Sequence, residues 1–172
     1  SGAETMVSDT LLAAAKHDSK EVAELLIEND TDWFESVGFE PLNSAISNNS
    51  LHVIRLLVEN GADPNNQADL EHWSRVSKNN FMETASLLIE LGADVNAQGP
   101  DGWTPLIFAV RKESLEAARL LIKHGADVNA EEKSGGMRPL NIAASNGYLN
   151  IARLLVKHGA DVNHKSSGET PL

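Results

Sequence analysis

Cysteine is absent from the 172 residues. No disulfide framework and no thiolate metal site can form. Aromatic residues make up only 5% of the chain, with three tryptophans, four phenylalanines and one tyrosine, so each large aromatic side chain is worth placing. Basic residues are also scarce. Fourteen Lys and Arg stand against 25 Asp and Glu, for a net charge of −11. That balance lacks the broad basic face that nucleic acid or an anionic membrane surface requires, so nucleic acid is not an expected partner. No apolar run approaches the ~18 residues of a membrane span. The N-terminus has neither the basic n-region nor the apolar h-region of a secretory leader. Together with the missing cysteine, this fits a reducing interior, cytoplasmic or nuclear. The phosphate-binding GxxxxGK[ST] loop, the GxSxG elbow and the HExxH zinc motif are missing too. We expect no enzymatic activity, no cofactor and no metal.

What the chain does have is repetition. GADPNN begins at Gly61, GADVNA at Gly92 and again at Gly125, and GADVNH at Gly159; the glycines are 31, 33 and 34 residues apart. A fixed period in the range of about 20–50 residues marks a stacked repeat array. Each block follows a stretch with apolar residues at i, i+3 and i+4, which predicts helices over 51–60, 81–91, 115–124 and 149–158, with a worn copy over 20–29. Shorter helices are expected upstream from Pro41, Pro105 and Pro139, each 20 residues before its glycine. Thr104 before Pro105 suits a helix start, because Thr caps and Pro fits the first helical position. Ser19, Ser50 and Ser114 are candidate caps for the longer helices. Between the paired helices stand Asp18, Asn49, Asn80, Glu113 and Gly147, at a tight turn that calls for the left-handed region; Glu113 is the strained one.

The Asp and Asn of the repeated block superficially suggest an active or calcium-binding ladder. They are better read as loop staples, since Asx side chains bond nearby backbone. His124 and His158 sit at equivalent helix ends, where a histidine interacts favourably with the helix dipole, and they stand too far apart to share a metal.

With TPL at Thr104–Leu106 and Thr170–Leu172, paired leucines at 56–57, 87–88, 120–121 and 154–155, and four GAD blocks, the sequence resembles the ankyrin-repeat family. The resemblance implies an all-α solenoid of stacked helix-turn-helix units with β-hairpin-like loops. It implies a single domain over 1–172, with units near 8–38, 39–69, 70–102, 103–136 and 137–168 and the start of a sixth at 169–172. Glu71-His72-Trp73 departs from the TPL pattern, so the third unit is expected to be distorted. The Ser- and Gly-rich loop 131–137 is expected to have a mobile tip. The apolar face formed by Ile142, Leu149, Ile151 and Leu154 is expected to lie open, so the native chain is expected to continue beyond 172 or to be covered there by another chain.

The resemblance further implies binding of a protein or peptide through the concave groove of loop tips and first helices. At equivalent tip positions stand Phe39, Leu70, Trp103 and Met137, where polar residues are usual. Either they form an apolar binding stripe or they fold down onto the neighbouring hairpin. Lys78, Arg111, Lys112 and Asn146 fall at the exposed ends of the first helices. A groove for a segment carrying acidic and apolar residues follows from this set, with Trp103 as anchor. The second reading is the regulatory or substrate-recruiting region of a larger enzyme or ubiquitin-ligase complex. The resemblance also offers Asn96 and Asn129, each in a Leu-x5-Asp-Val-Asn stretch, as asparagines open to hydroxylation.

Overall fold

The computed structural model describes residues 2–29, 38–65, 81–99 and 101–166. Helix is the only extended regular structure among them. The chain divides into two compact units, Ser1–Ala93 and Asp94–Leu172.

Unit 1 holds α1 (Gly2–His17), α2 (Lys20–Asn29), α3 (Glu40–Asn48), α4 (Leu51–Glu59) and α5 (Phe81–Glu90). α1 and α3 pack together as one layer, and α2, α4 and α5 form a second. Between the layers lie Leu11 and Ala15 of α1, Ile46 of α3 and Val53, Ile54 and Leu57 of α4, all fully buried. α1 starts well before residue 8 because residues 3–15 contain neither Pro nor Gly to stop it. Unit 2 holds α6 (Pro105–Arg111), α7 (Leu115–Lys123), α8 (Pro139–Ser145) and α9 (Leu149–Lys157). α6 packs on α8, α7 on α9, and each short helix on the longer one that follows it. Leu106, Ile107, Leu121, Leu140 and Leu155 fill the space between.

The turns follow the expected chemistry. Asp18, Asn49, Glu113 and Gly147 all have positive φ, at 51°, 57°, 55° and 72°. Thr104 caps α6, its hydroxyl accepting the Ile107 N–H at 3.3 Å. Two of the serine caps do not form: Ser50 and Ser114 precede α4 and α7, but neither hydroxyl bonds the helix. α4 is capped from a neighbour instead. The Asp18 carboxylate accepts the Val53 N–H at 3.1 Å and meets His52 Nδ1 at 2.7 Å. Asn49 reaches α5 through side chains alone: the Thr84 hydroxyl donates to Asn49 Oδ1 at 2.8 Å and Asn49 Nδ2 donates to Glu83 at 3.1 Å. A turn residue that must be left-handed thus also ties one helix pair to the next.

The repeated block is a staple, as its residue types suggest. Asp63, Asp94, Asp127 and Asp161 each accept the N–H two residues on, at 2.8–2.9 Å. The asparagines reach further. Asn96 Nδ2 donates to the Gly125 carbonyl at 3.0 Å while its Oδ1 accepts the Asp127 N–H at 2.8 Å. Asn129 does the same to Gly159 and Asp161. The His158 ring lies 2.8 Å from the Leu154 carbonyl, at the end of α9.

Two expectations change. Ile142, Ile151 and Leu154 are buried within unit 2 rather than open, and only Leu149 of that set is exposed. The 131–137 loop is tied down rather than loose at its tip, for a reason its glycines conceal: a buried carboxylate from Glu132 organises it.

Candidate protein-binding site

Trp103 is carried on a tight turn. The Gly99 N–H donates to the Trp103 carbonyl at 3.1 Å, and the Gly102 N–H to the Gly99 carbonyl at 2.9 Å. Gly102 has φ +76°, and a Cβ there would come within 3.1 Å of the Glu131 carbonyl oxygen and 3.2 Å of the Lys133 nitrogen. Glycine is required twice over, by conformation and by the closeness of the next loop. That closeness is bonded: the Lys133 N–H donates to the Asp101 carbonyl at 2.8 Å. Two consecutive tips of unit 2 are therefore latched together.

The second tip is built around Glu132, only 7% exposed. Its carboxylate accepts the Ser134 hydroxyl and the N–H groups of Ser134, Gly135 and Met137, the last three at 3.2, 2.7 and 3.3 Å. The Ser134 hydroxyl, with those backbone donors, holds the carboxyl below its ordinary 4.5, against the opposing effect of burial. The Glu132 N–H closes the hairpin on the Met137 carbonyl at 3.1 Å. From the following loop, His164 Nε2 lies 2.9 Å from the Gly136 carbonyl and the Ser166 hydroxyl donates to Gly135 at 2.9 Å. Arg138 pairs with Glu131 at 3.2 Å and Asp161 at 3.5 Å. Met137 is presented, half-buried, from a fixed hairpin.

Trp103 and Arg111 come together. The indole packs against Phe108, ring centroids 5.1 Å apart and tilted by 57°. The Arg111 guanidinium lies 4.2 Å from the Trp103 ring centroid. One turn of α6 separates Phe108 from Arg111, so a single short helix supplies both the floor and the lid of the indole. Trp103 is half-buried, and Arg111 is exposed. What this corner presents outward is the edge of a guanidinium whose face is covered, with its planar donors still available. Arg119 and Arg138 have carboxylate partners, Glu116 at 3.7 Å and Glu131 at 3.2 Å. Among the described residues Arg111 has no carboxylate partner.

The remaining candidates are more dispersed. Lys112 follows Arg111 at the C-cap of α6. Asn146 is the C-cap of α8, and its amide already donates to the Ile142 carbonyl at 2.8 Å. Phe39 is half-buried at the N-cap of α3 in unit 1. Leu70 and Lys78 lie outside the described residues, as do Trp33 and Trp73. Asn96 and Asn129 serve as the staples described above. Sequence reasoning missed Glu132, although a glutamate two residues before Ser-Gly-Gly is a readable signal for a carboxylate collecting loop N–H groups.

Among the described residues no cluster of three or more His, Asp and Glu could hold a metal ion, and no helix is long and apolar enough to cross a membrane. Paired helices joined by tight turns and stapled loops define a repeat-built helical array. The chain belongs to the ankyrin-repeat family: the model for ankyrin repeats (3 copies) matches residues 3–68 and 73–166. Ankyrin repeats are generally protein–protein interaction modules, typically without catalysis. The match breaks at 69–72, where Glu71-His72 begins the departure from the TPL pattern. No curated protein matches this chain.

Proposed function

We propose that the protein is a non-enzymatic adaptor whose second unit grips an acidic segment of a partner protein at the Trp103–Arg111 corner. One observation carries this reading: the Arg111 guanidinium lies 4.2 Å over an indole that Phe108 braces from within its own helix. Stacking restrains the guanidinium, so less side-chain entropy remains to be lost when a carboxylate docks on its edge. The acidic residue of the partner would meet that edge, and an apolar neighbour would rest on the uncovered part of Trp103 and on Met137. Lys112 adds charge of the same sign beside it.

The test uses an array of short acidic–apolar peptides, with sequence-scrambled and Lys-for-Glu versions as controls. Binding should favour the acidic set. Arg111→Glu should weaken the best peptides at least tenfold, and Trp103→Ala should cost about 2 kcal/mol, as buried aromatic anchors do. Arg111→Lys should recover only part of the loss, because the flat fork is gone. Equal binding by wild type and Arg111→Glu would sink the reading.

A further inference from the structure

Four large apolar side chains are well exposed among the described residues, and they fall on two helices only. Val22 (42%) and Leu25 (59%) lie on α2 of unit 1; Leu149 (60%) and Val156 (43%) lie on α9 of unit 2. The charges around them have opposite sign. On α2, Glu21, Leu25 and Glu28 follow one another at i, i+4 and i+7, with Val22 beside them. On α9, Leu149, Arg153 and Val156 occupy the same spacing, with Lys157 beside them. Residues so spaced share one helix face. The first face alternates acid, leucine, acid; the second alternates leucine, arginine, valine.

Glu21 and Lys157 each suit the dipole at their own helix ends, but Glu28 and Arg153 have no such internal reason. α9 contains no Asp or Glu, and Arg153 and Lys157 form no ion pair among the described residues. Glu28 lies in the last turn of α2, which holds no basic residue and where the helix dipole disfavours an acid. A local rule broken on the surface without a folding benefit marks a feature kept for something else.

We propose that these faces recognise each other between copies: the α2 face of one molecule docks on the α9 face of a second. Leu25 and Val22 would cover Leu149 and Val156, and Glu21 and Glu28 would meet Arg153 and Lys157. Apolar burial supplies the attraction, while the charges select the partner face and its register. A second copy is the occupant that the charge pattern favours, because this chain itself carries a second exposed apolar pair accompanied by charge of the opposite sign. The contact joins two different surfaces, so association is heterologous and propagates or closes according to geometry. It is independent of the Trp103–Arg111 corner.

The test is sedimentation equilibrium of the whole chain across about three decades of concentration. It is run at about 0.05 M and about 0.5 M salt, between which the screening length shortens several-fold. Average mass should rise with concentration at low salt and rise less at high salt. Glu21→Lys/Glu28→Lys should weaken association at least about tenfold, as should Arg153→Glu/Lys157→Glu. The chain carrying all four changes has the same net charge as wild type and should associate again. A 1:1 mixture of the two double variants should also associate. Circular dichroism confirms that each variant is folded, which the exposure of these positions favours. A wild-type chain that stays monomeric throughout overturns the proposal, and so does association indifferent to the reversals or a fourfold variant that is not rescued. Arg111→Glu should leave the association unchanged.

Discussion

The two units share a scaffold and differ in charge. Unit 1 carries five Lys and Arg against 16 Asp and Glu, whereas unit 2 carries nine of each. The whole net charge of −11 therefore resides in the first unit. The change is sharpest at one structural column, the last turn of the longer helices. Glu28, Glu59 and Glu90 occupy it in unit 1, and Lys123 and Lys157 in unit 2. The lysines agree with the helix dipole, by about 0.3–1 kcal/mol each, and the glutamates oppose it. Arg55 offsets part of that in unit 1, lying 3.0 Å from Glu90 and 4.0 Å from Glu59. Both units nevertheless use the same left-handed turns and the same Asp–Asn loop bonds. Folding is indifferent to the sign of the outer face, which leaves that sign available for choosing what the face meets.

The most forceful way to probe the division is to hollow each core in turn. Leu57 and Leu121 stand at equivalent sites and are both fully buried. Each change to Ala should cost about 2–5 kcal/mol, the transfer loss plus a cavity. Amide exchange read by mass spectrometry should localise the damage, with Leu121→Ala accelerating exchange in α6–α9 more than in α1–α4, and Leu57→Ala the reverse. Nearest-neighbour coupling is the rule in repeat chains. Uniform acceleration over all helices in both variants would show that the two units unfold as one.

A second probe is confined to unit 2. Glu132 gathers one hydroxyl and three N–H donors, a device with no counterpart among the described loops of unit 1. Glu132→Gln keeps the shape but loses the charge that four donors address, and should cost about 1–3 kcal/mol. The pH dependence has a definite sign. The folded-state carboxyl titrates below its ordinary 4.5, so its contribution is complete above that value and is lost as pH falls through the lower folded-state value. Relative to the intrinsic rate at each pH, protection of the Gly135 and Met137 amides should therefore fall in acid in wild type, whereas in Glu132→Gln it should be low already at neutral pH. Equal protection of this loop in the two proteins near neutrality would remove Glu132 as its organiser.

How much of this was legible follows from which rules are local. Helix positions, the left-handed turn residues and the Asp-x-Asn loop bonds depend on neighbours within a few residues, and the period announced them. The cap of α4 was not legible, because its acceptor is Asp18, 35 residues before Val53. Ser50 looked like the cap by type, yet a carboxylate from the preceding turn takes that role. The burial of Ile142, Ile151 and Leu154 was misjudged for the same reason, since it depends on α6 and α7 packing against α8 and α9. In the candidate site, the register picked out Trp103 and Arg111 as individuals. Their stacking needed coordinates, because it depends on how the turn from Gly99 aims the indole back over α6.

The mildest probe sharpens the comparison at a single dihedral. Asn49 in unit 1 and Glu113 in unit 2 occupy the same turn with φ of 57° and 55°. Asn tolerates that region, whereas for Glu it costs on the order of 1 kcal/mol. Asn49 adds bonds to Thr84 and Glu83 that reward its place. Glu113→Asn should therefore stabilise unit 2 by a few tenths to about 1 kcal/mol, raising Tm by about 1–4 °C. Asn49→Glu should destabilise unit 1 by more than that, since it both strains the turn and strips the Thr84 hydroxyl of its acceptor. Thermal unfolding of the two exchanged variants measures the asymmetry. If Glu113→Asn lowers Tm, the contacts of the glutamate side chain outweigh its backbone strain, and the acidic residue at this turn is there for its charge rather than in spite of its conformation.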